Sequence, residues 1–181
     1  DFVGSRGLGD VYKRQWWDRA LVTTYMATFG VVVSCIIGFT VGTLCFQSKS
    51  AAKFMLGVCD IFQTFPSFVY LIPVMMLFGI TDTSVLIAVI VYATIPATRY
   101  TIEGLRSVPI GLHEAATMSG VNKLQRLTKI EFPLAFPHMM LGLNQTIVFA
   151  LFMVIIGAFI GTEDLGQYIL KALSDKNGAG I

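Results

Sequence analysis

Apolar residues run through this chain in long blocks separated by short polar breaks. No charged residue occurs from Ala20 to Phe46. Residues 47–53, "QSKSAAK", make a polar break, and a second apolar segment over 54–80 is interrupted by Asp60, Pro66 and Pro73. A tight turn at 81–83 leads into a third block, from Ser84 to about Thr98, with Pro96 near its end. Residues 99–131 are polar, 133–160 are apolar again, and a polar stretch runs over 161–181. A helix needs about 20 apolar residues to cross hydrocarbon. The blocks therefore predict an all-α integral membrane protein with four complete spans.

Composition agrees. The chain is 55% hydrophobic and 13% charged, against about 45–50% and 25% for soluble domains. Cys35, Cys45 and Cys59 lie scattered in apolar surroundings and read as small core residues, with neither a disulfide framework nor a metal site.

Residues 5–15, "SRGLGDVYKRQ", resemble the translation of a transposase sequencing adapter, residue for residue. Residues 1–15 are accordingly set aside as a non-native scar, leaving 16–181 as the membrane domain. Within the match Arg6, Lys13 and Arg14 stand against Asp10, which equals the formal net charge of +2. The rest of the chain is near neutral, so no nucleic-acid partner is expected. Basic residues in short loops set orientation. Lys49, Lys53, Arg99, Arg106, Lys123, Arg126 and Lys129 fall on one side, against Arg19, Lys171 and Lys176 on the other. The 47–53 and 99–131 segments are thus expected in the cytoplasm.

Within the second of these segments lies "SVPIGLHEAATMSG". Ser107 before Pro109 predicts a helix start with proline in the first turn, and Gly120 suits the position just past a helix end. A helix of about two turns is unstable alone in water, so it needs a partner surface. The two alanines give it a thin face suited to a cleft.

The wider spacing carries a resemblance. Glu114-Ala115-Ala116, three residues, Gly120, nine residues, Ile130, one residue and Phe132-Pro133 closely resemble the E-A-A-x3-G-x9-I-x-L-P signature of ABC-transporter permeases. Phe132 is the one departure. "WWDRALVTTYMAT", "IFQTFPSFVYLIPVMMLFGI", "GLNQTIVFALFMVIIGAFIG" and "DLGQYIL" are similar to permeases of glycine betaine/proline betaine importers. The resemblance implies a type I importer permease fold in a bacterial inner membrane, with Glu114, Ala115, Ala116, Gly120, Ile130 and Pro133 in the ATPase-coupling segment. It also implies three partners: an ABC ATPase at residues 107–130, a periplasmic or lipid-anchored binding protein, and a second permease copy. The substrate would be a small quaternary-ammonium osmolyte, with choline, carnitine or an amino acid as alternatives. The scar stands in place of a native N-terminus and the family core has a fifth span that is missing here, so the sequence is expected to be truncated at both ends. Such a fragment should insert as helices yet neither transport nor dimerise stably, with its "DLGQYILKAL" helix near the outer surface.

Two other classes fit less well. "HEAAT" falls short of the zinc motif H-E-x-x-H because Thr117 replaces the second histidine, and His138 lacks the helical pairing a metal needs. A channel would leave the spacing around Glu114 without a purpose. No G-x-x-x-x-G-K-[ST] occurs, so no P-loop cradles nucleotide here, and no cofactor is expected.

Polar groups inside spans are costly and mark candidate pathways. Asn144 and Gln145 lie within the last block, either bonding between helices or facing the pathway, too deep for the Asn144-Gln145-Thr146 sequon to be glycosylated. Asp60 is expected to pair with a neighbouring helix. Phe65, Phe68 and Tyr70 cluster about Pro66, where a helix break would bare carbonyls to a cavity and ring faces attract quaternary ammonium groups. Plain packing is the competing role for these rings.

Overall fold

The computed structural model describes the backbone of residues 2–160 and the side chains of Trp17 and residues 20–157. Every regular element among them is helical. They are α1 (Phe2–Phe46), α2 (Lys49–Thr64), α3 (Phe68–Phe78), α4 (Asp82–Arg106), α5 (Ile110–Met118), α6 (Lys123–Arg126) and α7 (Phe132–Ile160), with one π turn, Leu127–Glu131, between the last two. The "DLGQYILKAL" helix and any fifth span lie outside the described residues.

Among the described residues, three stretches are long and apolar enough to cross a membrane: Ala20–Phe46, Asp82–Arg106 and Lys123–Gly157. The second expected span is instead two helices, α2 and α3, meeting at 87°. Pro66 explains the break, since the residue before a proline is pushed out of helical conformation and Phe65 is extended at ψ 137°. The pair still runs from one end of α4 to the other. Lys49 lines a cleft with Leu105 and Arg106, while the Gly79 carbonyl accepts a bond from Ser84 Oγ at 2.7 Å. Pro66 has no N–H to offer the Phe62 carbonyl, and the Tyr70 hydroxyl donates to it instead; the Thr64 hydroxyl donates to Ile61 at 2.7 Å. At the break, the Phe62 carbonyl is therefore bonded rather than bare.

Two boundaries also move. The polar break after α1 is only Gln47 and Ser48, and Ser48 caps α2 by accepting from the Ala51 N–H. The third span does not end near Thr98 but continues two turns to Arg106. Its apparent polarity there misleads, because Thr101, Ile102, Gly104 and Leu105 are all buried. The Thr101 hydroxyl donates to the Ala97 carbonyl within its own helix. Arg99 is held by Asp60 at 2.7 Å, Gln63 at 2.8 Å and Glu103 at 3.1 Å. Asp60 thus pairs with a neighbouring helix, as expected.

Helix α4 is the centre of the bundle, packed between α1 and α7. Lipid tails are as apolar as leucine, so helices here associate through close packing and interhelical bonds. Small residues permit it. A methyl on Gly38 would strike Ala97, and one on Gly42 would lie 2.7 Å from Thr101. Across the other face, Gly142 meets Tyr100 and Gly157 meets Val85 in the same manner. Ser34 adds a bond from α1 to the Ile90 carbonyl at 3.0 Å.

Gly38→Leu should destabilise the α1–α4 contact by about 1–3 kcal/mol, the usual cost of overpacking, lowering the unfolding midpoint in detergent. Gly57 has nothing within 4 Å of where a side chain would start, so Gly57→Leu should leave the midpoint unchanged. Equal midpoints for the two variants would refute the close approach.

Candidate coupling site

At the end of α4 the chain turns through Ser107, which closes that helix by donating from its N–H to Glu103 and Gly104. Ser107 is thus a helix end, not the expected start. Helix α5 begins at Ile110, after an extended Pro109 with ψ 136°.

Its far end is closed by backbone geometry. Gly120 adopts φ +70°, the left-handed region that a Cβ disfavours. Gly120 N–H bonds the Thr117 carbonyl at 3.1 Å, and the left-handed turn that follows brings Val121 N–H to Ala116 at 3.1 Å. Two carbonyls that would otherwise lack partners are satisfied, as in a glycine C-terminal cap. Asn122 then opens α6 with a reciprocal cap: its side chain accepts from Gln125 N–H at 2.8 Å, and the Gln125 side chain accepts from Asn122 N–H at 3.3 Å.

The segment is tied down by Glu131, a carboxylate only 2% exposed. Its Oε1 lies 2.8 Å from Arg126 Nε and 3.0 Å from His113 Nδ1. A buried carboxylate is costly unless paired and hydrogen-bonded, and these two partners bridge α5, α6 and the foot of α7. Pro133 accounts for its placement. A proline inside a helix lacks the N–H for residue i−4 and crowds that carbonyl, here Lys129. The wider π turn just before it makes room, with Phe132 N–H bonding back to Leu127. Glu131 sits in that turn and is aimed inward.

The expected coupling residues therefore separate. Glu114 and Ala115 are exposed on α5, while Ala116 is 4% exposed beneath it. The alanines do not form one shared outward face. Gly120 is the turn, Ile130 is half-buried in the π turn, and Pro133 is exposed. Met118, 90% exposed, stands beside Glu114 and Ala115 on the outer side, with Leu124 also exposed beyond the turn. Glu131 escaped sequence reasoning, although an ionisable residue wedged between the motif's Ile130 and Pro133 was a usable signal.

The pathway candidates also divide. Phe65, Pro66 and Phe68 are exposed at the α2–α3 elbow, whereas Tyr70 is buried. Tyr70 belongs to a line of rings: Phe65–Phe62 at 6.2 Å, Phe62–Tyr70 at 6.1 Å, Tyr70–Tyr92 at 5.0 Å and Tyr92–Phe149 at 4.7 Å. Phe62, Tyr92 and Phe149 carried no sequence signal apart from other apolar residues. Asn144 is exposed and Gln145 half-buried. Neither shares in the hydrogen bonds that join helices among the described residues. No cluster of three metal-ligating side chains occurs among them either.

Glu131→Gln should loosen α5, since hydrogen bonds to charged groups contribute about 1.5–3 kcal/mol. Amide exchange in 110–118 should then quicken by about tenfold or more, each 1.4 kcal/mol being a factor of ten. Glu114→Gln, on the exposed face, should leave that exchange unchanged; equal acceleration in both variants would show that Glu131 has no special hold. Separately, Gly120→Val should loosen the α5–α6 turn more than Gly120→Asn, because asparagine tolerates the left-handed region. Equal exchange at Val121 in these two would count against the cap.

Comparison with known proteins places this geometry. The chain is 89% identical over 166 residues to the trimethylamine N-oxide transport system permease protein TmoV of Pelagibacter ubique, covering 92% of this chain and 23% of that protein. It is 38% identical over 157 residues to the glycine betaine/proline betaine transport system permease protein ProW of Escherichia coli, covering 87% of this chain and 44% of the relative. The chain thus spans about a quarter to a half of these relatives' lengths. In fold it is similar to the inward-facing MetNI methionine ABC transporter, with TM-score 0.76 at 21% identity over 87% of this chain and 79% of that one. Residues 30–180 match the binding-protein-dependent transport system inner membrane component family, and the chain belongs to that family of membrane permeases.

Proposed function

We propose that this chain is the membrane-spanning part of an ATP-driven importer for a small solute bearing a trimethylated nitrogen. A separate ATPase docks on α5, a binding protein delivers the solute on the opposite side, and a second permease copy completes the path. The observation that carries the coupling role is the way α5 is held. It is too short to stand alone, yet its glycine turn and the Glu131 clamp fix it while Glu114, Ala115 and Met118 stay exposed. A knob so held transmits a partner's movement into α4 and α7, whose packings shift as units.

Substrate class rests on the relatives. Trimethylamine N-oxide and glycine betaine both present three methyl groups on nitrogen, and the likeness to the trimethylamine N-oxide permease is by far the higher of the two. Trimethylamine N-oxide is therefore the preferred solute, with glycine betaine second. The ring line from Phe65 to Phe149 offers faces to such a group, and Phe65, Pro66, Phe68, Tyr70, Asn144 and Gln145 are the residues assigned to the path. Residues 1–15 are set outside this permease unit.

Uptake of labelled trimethylamine N-oxide by cells carrying the permease with its ATPase and binding protein tests the reading. Competition should fall from trimethylamine N-oxide to glycine betaine to choline and carnitine, and indifference to all four would remove the substrate assignment. Glu114→Lys should abolish uptake while membrane insertion and α5 protection persist. Unchanged uptake would remove the coupling role.

A further inference from the structure

A cleft of about 900 Å³ opens where the turn after α1, the end of α4, α5 and α6 come together. Leu105, Val108 and Leu127 give it an apolar floor. Three cations from distant parts of the sequence converge on it: Lys49 at the start of α2, Arg106 at the end of α4 and Lys123 at the start of α6. All three are exposed and none has an ion-pair partner among the described residues. The acidic group in the lining, Glu131, is already occupied by Arg126 and His113. The cleft thus holds a surplus of positive charge over an apolar base.

Its level in the fold says what would fill it. The spanning stretches of α1 and α4 end at Phe46 and Arg106, both in its lining, so it lies where hydrocarbon gives way to headgroups on the basic side. Basic pockets between helices at that level suit anionic lipid headgroups. A free anion would leave the floor against water. A zwitterionic lipid would bring its own ammonium against three cations.

We propose that this cleft seats the headgroup of an anionic phospholipid, its phosphate among Lys49, Arg106 and Lys123 and its first acyl carbons on Leu105, Val108 and Leu127. The bound lipid braces α5 from behind against the ends of α1 and α4. This site is separate from the exposed face carrying Glu114, and it does not depend on the transported solute.

The test uses the whole chain in phosphatidylcholine nanodiscs containing a rising fraction of phosphatidylglycerol, with retained lipids counted by native mass spectrometry. Wild type should retain phosphatidylglycerol in preference to phosphatidylcholine. At roughly fivefold per charge near a membrane surface, Lys123→Gln should weaken retention about fivefold, and the triple change Lys49→Gln, Arg106→Gln, Lys123→Gln about a hundredfold. Lys53→Gln, outside the lining, should have no effect, and circular dichroism should show equal helicity throughout. The single variant keeps the test decisive if the triple variant folds poorly. Equal retention of both lipids, retention unmoved by Lys123→Gln, or release of the lipid by excess inorganic phosphate would each overturn the proposal.

Discussion

Glu131 is a carboxylate almost wholly withdrawn from water, and an unpaired charge there would be costly. Its two partners come from different elements, His113 on α5 and Arg126 on α6. The cost of baring that carboxylate therefore holds α5 to the foot of α7. Without such a tie, nine residues of helix are too few to persist in water. The chain of cause begins one step earlier, at Pro133. Its missing N–H favours the π turn, the turn directs Glu131 inward, and Glu131 captures α5. Two residues near the end of the motif, Glu131 and Pro133, thus govern a helix some fifteen positions before them.

The bundle above gives that tie something firm to pull on. Helix α4 leads directly into the α5 segment at one end, and the helical stretch from Lys123 to Gly157 leaves it at the other. These helices touch along their length through glycine and alanine contacts. Close-packed interiors resist gradual deformation, so α4 and α7 hold to one another as packed bodies. The softer element is the α2–α3 elbow. There Pro66 interrupts the ladder, and the Tyr70 hydroxyl replaces the bond it withholds from Phe62.

Much of this was legible in the sequence, for identifiable reasons. Span-length apolar blocks located α1, α4 and α7, and Pro66 marked the elbow. The spacing from Glu114 to Pro133 marked out the segment that folds as α5, α6 and the π turn, and the glycine at 120 anticipated its left-handed turn. What stayed hidden depended on partners distant in sequence. Residues 99–106 read as a polar loop because Arg99 and Glu103 are charged, while the packing that buries Thr101 and Leu105 came from α1 and α7. The ring line was invisible for a similar reason, since Phe62, Tyr92 and Phe149 look like any other span residue until three helices align them.

The adjacent alanines show why a motif's residues need not share a reason. Ala116 lies beneath α5 at 4% exposure, and its carbonyl accepts the bond from Val121 that closes the turn. A longer side chain there would lift α5 from the bundle and lengthen the 3.0 Å approach of His113 to Glu131. Ala115 faces outward beside Glu114 and has no such neighbour to displace. Its smallness matters only to something that comes up flush against the helix. One alanine thus answers to the inside of this chain, and the other lies on its outer surface. That division requires α5 to keep a single orientation about its axis, which the Gly120 turn and the Glu131 clamp together impose.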